Sequence, residues 1–197
     1  MAARSLLALV CACAAAAAPA HYTVTFETDG GAIIVAVDRD LAPLGADRLY
    51  ATVSAGFYND SAFFRVVPGF VTQFGISGSA AENAQWLHSS IDDDPVLSTN
   101  GAGTLAFATE GPNSRTTQLF FNLKNNAVLD SMGFSPFGKI ISGLAVAENM
   151  FNPTPSDDGG VDQQSYEEKG NAWVRKTFPG IQFITGAFVK EETEATM

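Results

Sequence analysis

An arginine stands inside a run of apolar and turn residues, Phe63-Phe64-Arg65-Val66-Val67-Pro68-Gly69-Phe70-Val71-Thr72-Gln73-Phe74-Gly75. No other stretch constrains the fold as strongly. Pro68-Gly69 is a turn dipeptide, so Phe63–Val67 and Phe70–Phe74 read as two short strands joined by a tight turn. Side chains alternate along a strand, which puts Arg65 on the face shared by Phe63 and Val67. An unpaired guanidinium on an apolar face is costly. Arg65 therefore belongs either to a structural ion pair or to a fork of donors lining a cleft. A second segment, Gly103–Leu123, ends in a strand on which Gln118 and Phe120 point to one side.

The rest of the chain reads as further strands with turns between them. Tyr22–Thr28 and Ala32–Val37 flank Asp29-Gly30-Gly31, a hairpin signal. Thr104–Thr109, Gln118–Leu123, Phe137–Ile141 and Ile181–Val189 are the remaining strand candidates. Asp40-Leu-Ala-Pro43 starts a helix that carries Leu44, Leu49 and Val53 and ends at Gly56. Ala145–Phe151 is a short helix candidate, and Val161–Thr177 a longer one weakened at Gly170. Polar Ile76–Asn100 reads as long loop. The pattern predicts a mainly β fold, an antiparallel barrel capped by two or three helices.

With 46% hydrophobic residues and 15 Phe in 197, the chain can build one globular core. Its first 20 residues differ in kind. Arg4 is followed by apolar Leu6–Ala18, and Ala18-Pro19-Ala20 matches the small-x-small cleavage pattern, so 1–20 is expected to be a signal peptide cut after Ala20. Residues 21–190 would then form the domain and 191–197 an acidic flexible tail. The expected location is secreted or lumenal, with no membrane insertion after cleavage. Cys11 and Cys13 both fall in the leader, which removes disulfides, thiol catalysis and cysteine metal sites from the mature chain. The net charge of −10 disfavours nucleic acid and anionic lipid as partners, since phosphates would be repelled.

Conventional catalysts are missing. His21 and His88 are the only histidines, too few for a histidine metal cluster. Gly75-Ile-Ser-Gly78 lacks the spacing of a nucleophile elbow. Asp92-Asp93-Asp94 lacks the spacing and glycine of a calcium loop and reads as a solvated loop ending at Pro95. No phosphate-cradling loop is present, so neither a metal nor another cofactor is expected. Asn59-Asp60-Ser61 is a glycosylation sequon.

Taken together, the two segments resemble the cyclophilin family of peptidyl-prolyl cis-trans isomerases. The resemblance rests on Phe63 to Gly75, on Gly103 to Phe120, on Leu129-Asp130 and on Phe137-Gly138-Lys139-Ile140, in the family's order and at nearly its spacing. It covers Tyr22 to Val189. It implies a closed eight-stranded antiparallel barrel with the substrate groove on its outside, and isomerisation of X-Pro bonds in proline-containing peptides and in unfolded or folding proteins. It also implies a catalytic Arg65 partnered by Gln73, with Gln118 as a further polar neighbour. Phe70, Phe120 and Leu129 would form the pocket for the proline ring, and Ala108 and Thr109 the edge that pairs with substrate backbone. Phe134 falls where the family has a pocket histidine, and Thr109 where it often has Asn. Val128 replaces a tryptophan that in the family helps bind cyclosporin, so weak inhibition by cyclosporin is expected. A monomer is expected, and a non-catalytic proline-peptide binder or scaffold of the same fold is the alternative.

Overall fold

The computed structural model describes residues 17–191. Eight strands follow in chain order: β1 (His21–Thr28), β2 (Gly31–Asp38), β3 (Arg65–Val67), β4 (Val71–Phe74), β5 (Thr104–Phe107), β6 (Leu119–Asn122), β7 (Gly138–Ser142) and β8 (Ile184–Glu191). All pair antiparallel in the order β3-β4-β6-β5-β7-β2-β1-β8. The sheet curls but does not close along its edges, which corrects the closed barrel expected from sequence. The segments ahead of the edge strands seal the gap. Ala62 bridges Phe183, the Phe63 N–H donates to the Gln182 carbonyl (3.0 Å), and the Ile184 N–H donates to that of Ser61 (2.9 Å).

The same contacts alter one strand reading. Residues 61–64 leave β4 to meet the β8 side, so the alternation expected from Phe63 to Val67 begins only at Arg65. Phe63 and Val66, three apart, both enter the barrel core, while Arg65 faces out. Aromatic rings cluster within that core: those of Phe26 and Phe121 lie 5.2 Å from Phe74, and that of Phe63 lies 5.4 Å from it. Each such pair contributes about 0.5–1.5 kcal/mol beyond the area it buries.

The described residues form four α-helices rather than two or three: α1 (Pro43–Ser54), α2 (Ala80–Trp86), α3 (Leu144–Glu148) and α4 (Gln163–Thr177). Helix α2 lies in the stretch expected to be loop. Its seven residues bury none of their side chains, so no apolar stripe announces it. Trp86 holds it in place, edge-on to Phe57 (5.8 Å) and beneath the Arg48 guanidinium (4.9 Å). On α1, Leu49 and Val53 are buried but Leu44 is exposed. Helix α4 breaks at Gly170, whose φ of +64° places it against the Gly78 carbonyl. A second apolar cluster joins α4 to the barrel through Phe64, Val161, Tyr166 and Phe183.

The Asp92–Asp94 loop also departs from expectation. Ala42, which caps α1, provides no side-chain acceptor. The Asp94 carboxylate fills that role from 50 residues away, accepting from the Leu44 N–H (3.0 Å) and the Gly45 N–H (2.9 Å). Arg115 Nη1 donates to the same carboxylate (3.0 Å), and both side chains are almost wholly buried. The reading as solvated loop therefore fails at Asp94.

At the N-terminal end, Ala18 is buried in the main core and its N–H donates to Asp47 (2.8 Å), while the Ala20 carbonyl accepts from Arg39 (2.9 Å). Most of the expected leader, residues 1–16, lies outside the described residues. At the other end Glu191, assigned to the tail, pairs with Tyr22 in the sheet and accepts from the Tyr50 hydroxyl (2.7 Å). The rest of the tail lies outside the described residues.

Candidate active site

Strand register assembles the site. Arg65 pairs with Gln73, Gln73 with Phe120, and Phe120 with Ala106, forming one row across β3, β4, β6 and β5. The neighbouring row, Val66, Thr72, Phe121 and Leu105, is fully buried. Alternation across the pleat therefore turns the first row to the outer face. Gly75 lets the end of β4 lie against β6. Its φ is +106°, and a Cβ there would run into the Thr117 carbonyl and the Gln118 Cα.

On this face a third apolar cluster forms, separate from the barrel core. Val71, Ala106, Phe120 and Leu129 are buried in it, with Phe70, Ala108 and Phe134 packed around them. Phe134 stands edge-on to Phe120, with ring centroids 5.5 Å apart. Together with Arg65, Gln73, Thr109 and Met132, all of these but Ala106 line a cleft of about 250 Å³.

Arg65 sits at one end of the cleft, half-buried. Its Nε donates to the Asp158 carbonyl (2.5 Å) and its Nη1 to Gln73 Oε1 (3.1 Å), while its guanidinium lies 5.9 Å from the Phe70 ring centroid. Among the described residues Nη2 has no acceptor. Burial pulls the guanidinium below its ordinary pKa, against the pull of Asp158. An arginine nevertheless stays charged in proteins. Gln73 Nε2 in turn donates to Gln118 Oε1 (2.9 Å).

The opposite wall hangs on a 3-10 turn, Ala127–Met132, which carries Leu129. Asn100 pins it. Its N–H and its Nδ2 both donate to Asp130 Oδ1 (2.8 Å each), and Nδ2 also donates to the Phe134 carbonyl (2.9 Å). These bonds hold the Asp130 carboxyl below the usual carboxylate range. Asn126 Nδ2 donates to the Phe70 carbonyl (2.9 Å) and to Asn122 Oδ1 (2.8 Å), so one amide network sets both apolar walls.

A sequence model of the family described as "Cyclophilin type peptidyl-prolyl cis-trans isomerase/CLD" matches residues 23–168, well over half of the chain. The chain belongs to the cyclophilin family. Among curated cyclophilin relatives, peptidyl-prolyl cis-trans isomerase A of Dickeya dadantii is 34% identical over 152 residues, covering 74% of this chain and 80% of its own. A peptidyl-prolyl cis-trans isomerase of Acinetobacter baylyi is 32% identical over 146 residues, covering 71% and 77%. In fold, the chain is similar to a cyclophilin from Cryptosporidium parvum, with a TM-score of 0.65 at 19% identity over 88% of this chain and 99% of that one. The same parasite cyclophilin was also solved in the presence of the dipeptide Ala-Pro.

All nine residues singled out from sequence lie along this cyclophilin cleft or beside it. Arg65, Phe70, Gln73, Ala108, Thr109, Phe120, Leu129 and Phe134 line it. Gln118 lies just beyond it, in a polar trough that continues past Gln73 and Thr109. The Thr109 hydroxyl is bound up in its own turn, 2.8 Å from Ser114 Oγ and donating to the Gly111 carbonyl. The Ala108 N–H is taken by the Gln118 carbonyl (2.9 Å). Sequence reasoning missed Val71 and Met132, which also line the cleft. Met132 follows Leu129 by three positions, one turn of 3-10 helix, but nothing in the sequence marks a helix there. The Asp158 carbonyl on Arg65 was missed as well, since backbone carbonyls carry no sequence signal. Val128 is 66% exposed and outside the cleft lining.

Proposed function

We propose that this cyclophilin accelerates X-Pro isomerisation in exported proteins and so assists their folding, acting as a monomer with Arg65 as its catalytic residue. Isomerisation breaks no covalent bond. Its barrier of about 18–20 kcal/mol is the loss of amide resonance. As the peptide bond twists, the prolyl nitrogen regains a lone pair that can accept a hydrogen bond. The observation that carries the reading is the guanidinium's division of labour. Nε and Nη1 are committed to Asp158 and Gln73, and Nη2 is left to donate beside an apolar cleft. A pyrrolidine ring held against Phe70, Phe120, Leu129 and Phe134 stays still while the preceding carbonyl rotates. A donor aimed at the twisted state favours it over both planar states, which is differential transition-state binding. Shortening a step of tens of seconds to milliseconds needs about 10⁴-fold, or roughly 5.5 kcal/mol.

Among the described residues Arg65 is the only ionisable side chain lining the cleft. In the neighbouring trough, burial and the nearby Glu110 and Glu168 raise the Glu167 carboxyl above its ordinary value, so it is the carboxylate that protonates early on acidification. The rate constant kcat/KM for a model X-Pro peptide, read in a coupled assay, is therefore expected to stay flat between about pH 6.5 and about pH 9. A bell centred near neutrality would mean a general acid or base takes part. No rate above the uncatalysed one would leave a non-catalytic peptide binder.

The export part of the reading rests on the apolar Leu6–Ala18 and the Ala18-Pro19-Ala20 pattern. Sequencing the N-terminus of the exported chain tests it. A start at His21 is expected from the pattern, whereas a start at or before Ala18 would keep the Ala18–Asp47 hydrogen bond. A mature chain still beginning at Met1 would overturn the leader.

A further inference from the structure

The Arg65–Gln73–Gln118 contacts do not end at Gln118. Gln118 Nε2 donates to Gln163 Oε1 (3.0 Å), the first residue of α4. Three amides thus run in series from the guanidinium, and their direction is forced. A guanidinium only donates, so Gln73 must turn Oε1 to Arg65 and Nε2 away from it. Gln118 must then meet that Nε2 with its own Oε1 and present Nε2 to Gln163. Rotating any one amide by half a turn sets donor against donor somewhere along the chain.

Both ends of this chain rest on one segment. Arg65 Nε donates to the Asp158 carbonyl, and Gln163 lies five residues further on. That segment is tied to β3. The Val161 N–H donates to the Phe64 carbonyl (2.8 Å), and Val161 is buried with Phe64 and Tyr166. Gly160 has φ +83°, and a Cβ there would come within 2.6 Å of Arg65 Cβ and 2.8 Å of the Phe64 carbonyl. Asp162 caps α4 by accepting from the Ser165 N–H (2.8 Å), which fixes where Gln163 starts.

We propose that Gln163 is a positioning residue for Arg65: the guanidinium fixes the polarity of the amide chain, and Gln163 Oε1, accepting from Gln118 Nε2, anchors its far end and so keeps Gln73 Oε1 against the guanidinium. This rests on Arg65 acting as proposed above. Gln163→Ala removes the terminal acceptor and is expected to lower kcat roughly 3- to 10-fold, the worth of one net hydrogen bond, with KM little changed. Gln163→Glu, which can only accept when ionised, should restore kcat to within about 2-fold. Gln163→Lys, which can only donate, sets donor against donor at Gln118 Nε2 and should cost more than Gln163→Ala.

The order Glu above Ala above Lys, with melting temperatures alike, supports the inference. Indifference of both the rate and the Arg65 resonance to all three, or losses that follow melting temperature, would overturn it. In a Gln118→Ala background the chain is cut, so the three substitutions should lose their differences. If Lys still costs more there, charge through space is acting and the inference falls. The Arg65 side-chain ¹⁵Nε resonance gives a readout independent of rate: it should shift in Gln163→Lys and not in Gln163→Glu. A resonance pattern of that kind with no rate effect would sink the catalytic reading of Arg65 and leave the amide chain standing. An unmoved resonance in both variants would sink the chain alone.

Discussion

Arg65→Ala is expected to lower kcat/KM by about 10²–10³-fold, the usual cost of removing one preorganised donor aimed at developing charge. The cleft itself should survive. Its apolar walls are set by Asn100, Asn126 and the Val71–Phe120–Leu129 cluster, none of which depends on the guanidinium. Because Arg65 is half-buried on the outer face, its removal should shift the melting temperature by only a few degrees. KM for an X-Pro peptide should change less than kcat, because the proline ring still finds Phe70, Phe120, Leu129 and Phe134. Arg65→Lys is not a rescue. An ammonium is a single point charge and cannot hold the Asp158 carbonyl and Gln73 Oε1 while also offering a third donor at a fixed angle. The coupled X-Pro assay decides the matter. Wild-type rates in Arg65→Ala would refute the catalytic assignment.

Asp94→Ala is expected to cost about 3–5 kcal/mol of stability, the penalty for stranding one member of a buried ion pair. Three groups lose their partner at once. The Leu44 and Gly45 N–H groups at the start of α1 have no other cap, and Arg115 Nη1 loses its carboxylate. Arg115 is poorly placed to compensate. Its Nη2 is held by the Asp92 carbonyl, and its buried Nε has no hydrogen-bond partner among the described residues, with Asp93 Oδ1 at 3.4 Å. Domains of this size are stable by only about 5–15 kcal/mol, so the loss is a large fraction of the total, on the order of 10 °C in melting temperature. Asp92→Ala provides the control. Asp92 contributes its backbone carbonyl to Arg115 and its side chain is exposed, so that change should stay within about 0.5 kcal/mol. Urea denaturation of the two variants reads the difference. Equal midpoints would mean the Asp94 contacts carry no net stability.

Asp94 also marks where sequence reading stops. Asp92, Asp93 and Asp94 are identical letters, and local spacing cannot tell which one is carried inward to the end of a helix 50 positions earlier. Helix α2 escaped for a related reason: none of its residues is fully buried and Trp86 alone packs against the core, so it lacks the periodicity from which helices are read. The face of Phe63 was misjudged because alternation holds only while a strand keeps its partner, and residues 61–64 change partners. The closed barrel was overstated because edge pairing depends on β3 and β8 meeting along their length, which no local pattern encodes. By contrast, Arg65, Gln73 and Phe120 were legible together through the family resemblance, and the register of β3, β4 and β6 accounts for it by placing them in one row.

The Phe63–Gly75 and Gly103–Phe120 segments determined by themselves a mainly β fold and an arginine among apolar strands that needs either an ion pair or a cleft, and their resemblance to the cyclophilin family implied the cleft. Tertiary structure alone decided what holds that arginine. The Asp158 carbonyl, 93 positions away in the chain, accepts from it directly, and Gln163, 98 positions away, accepts from Gln118 two amides further on; both are in place because Gly160 and Val161 dock their segment against Phe64. A hydrogen bond depends on distance and direction in space, and those quantities exist only once the chain has folded.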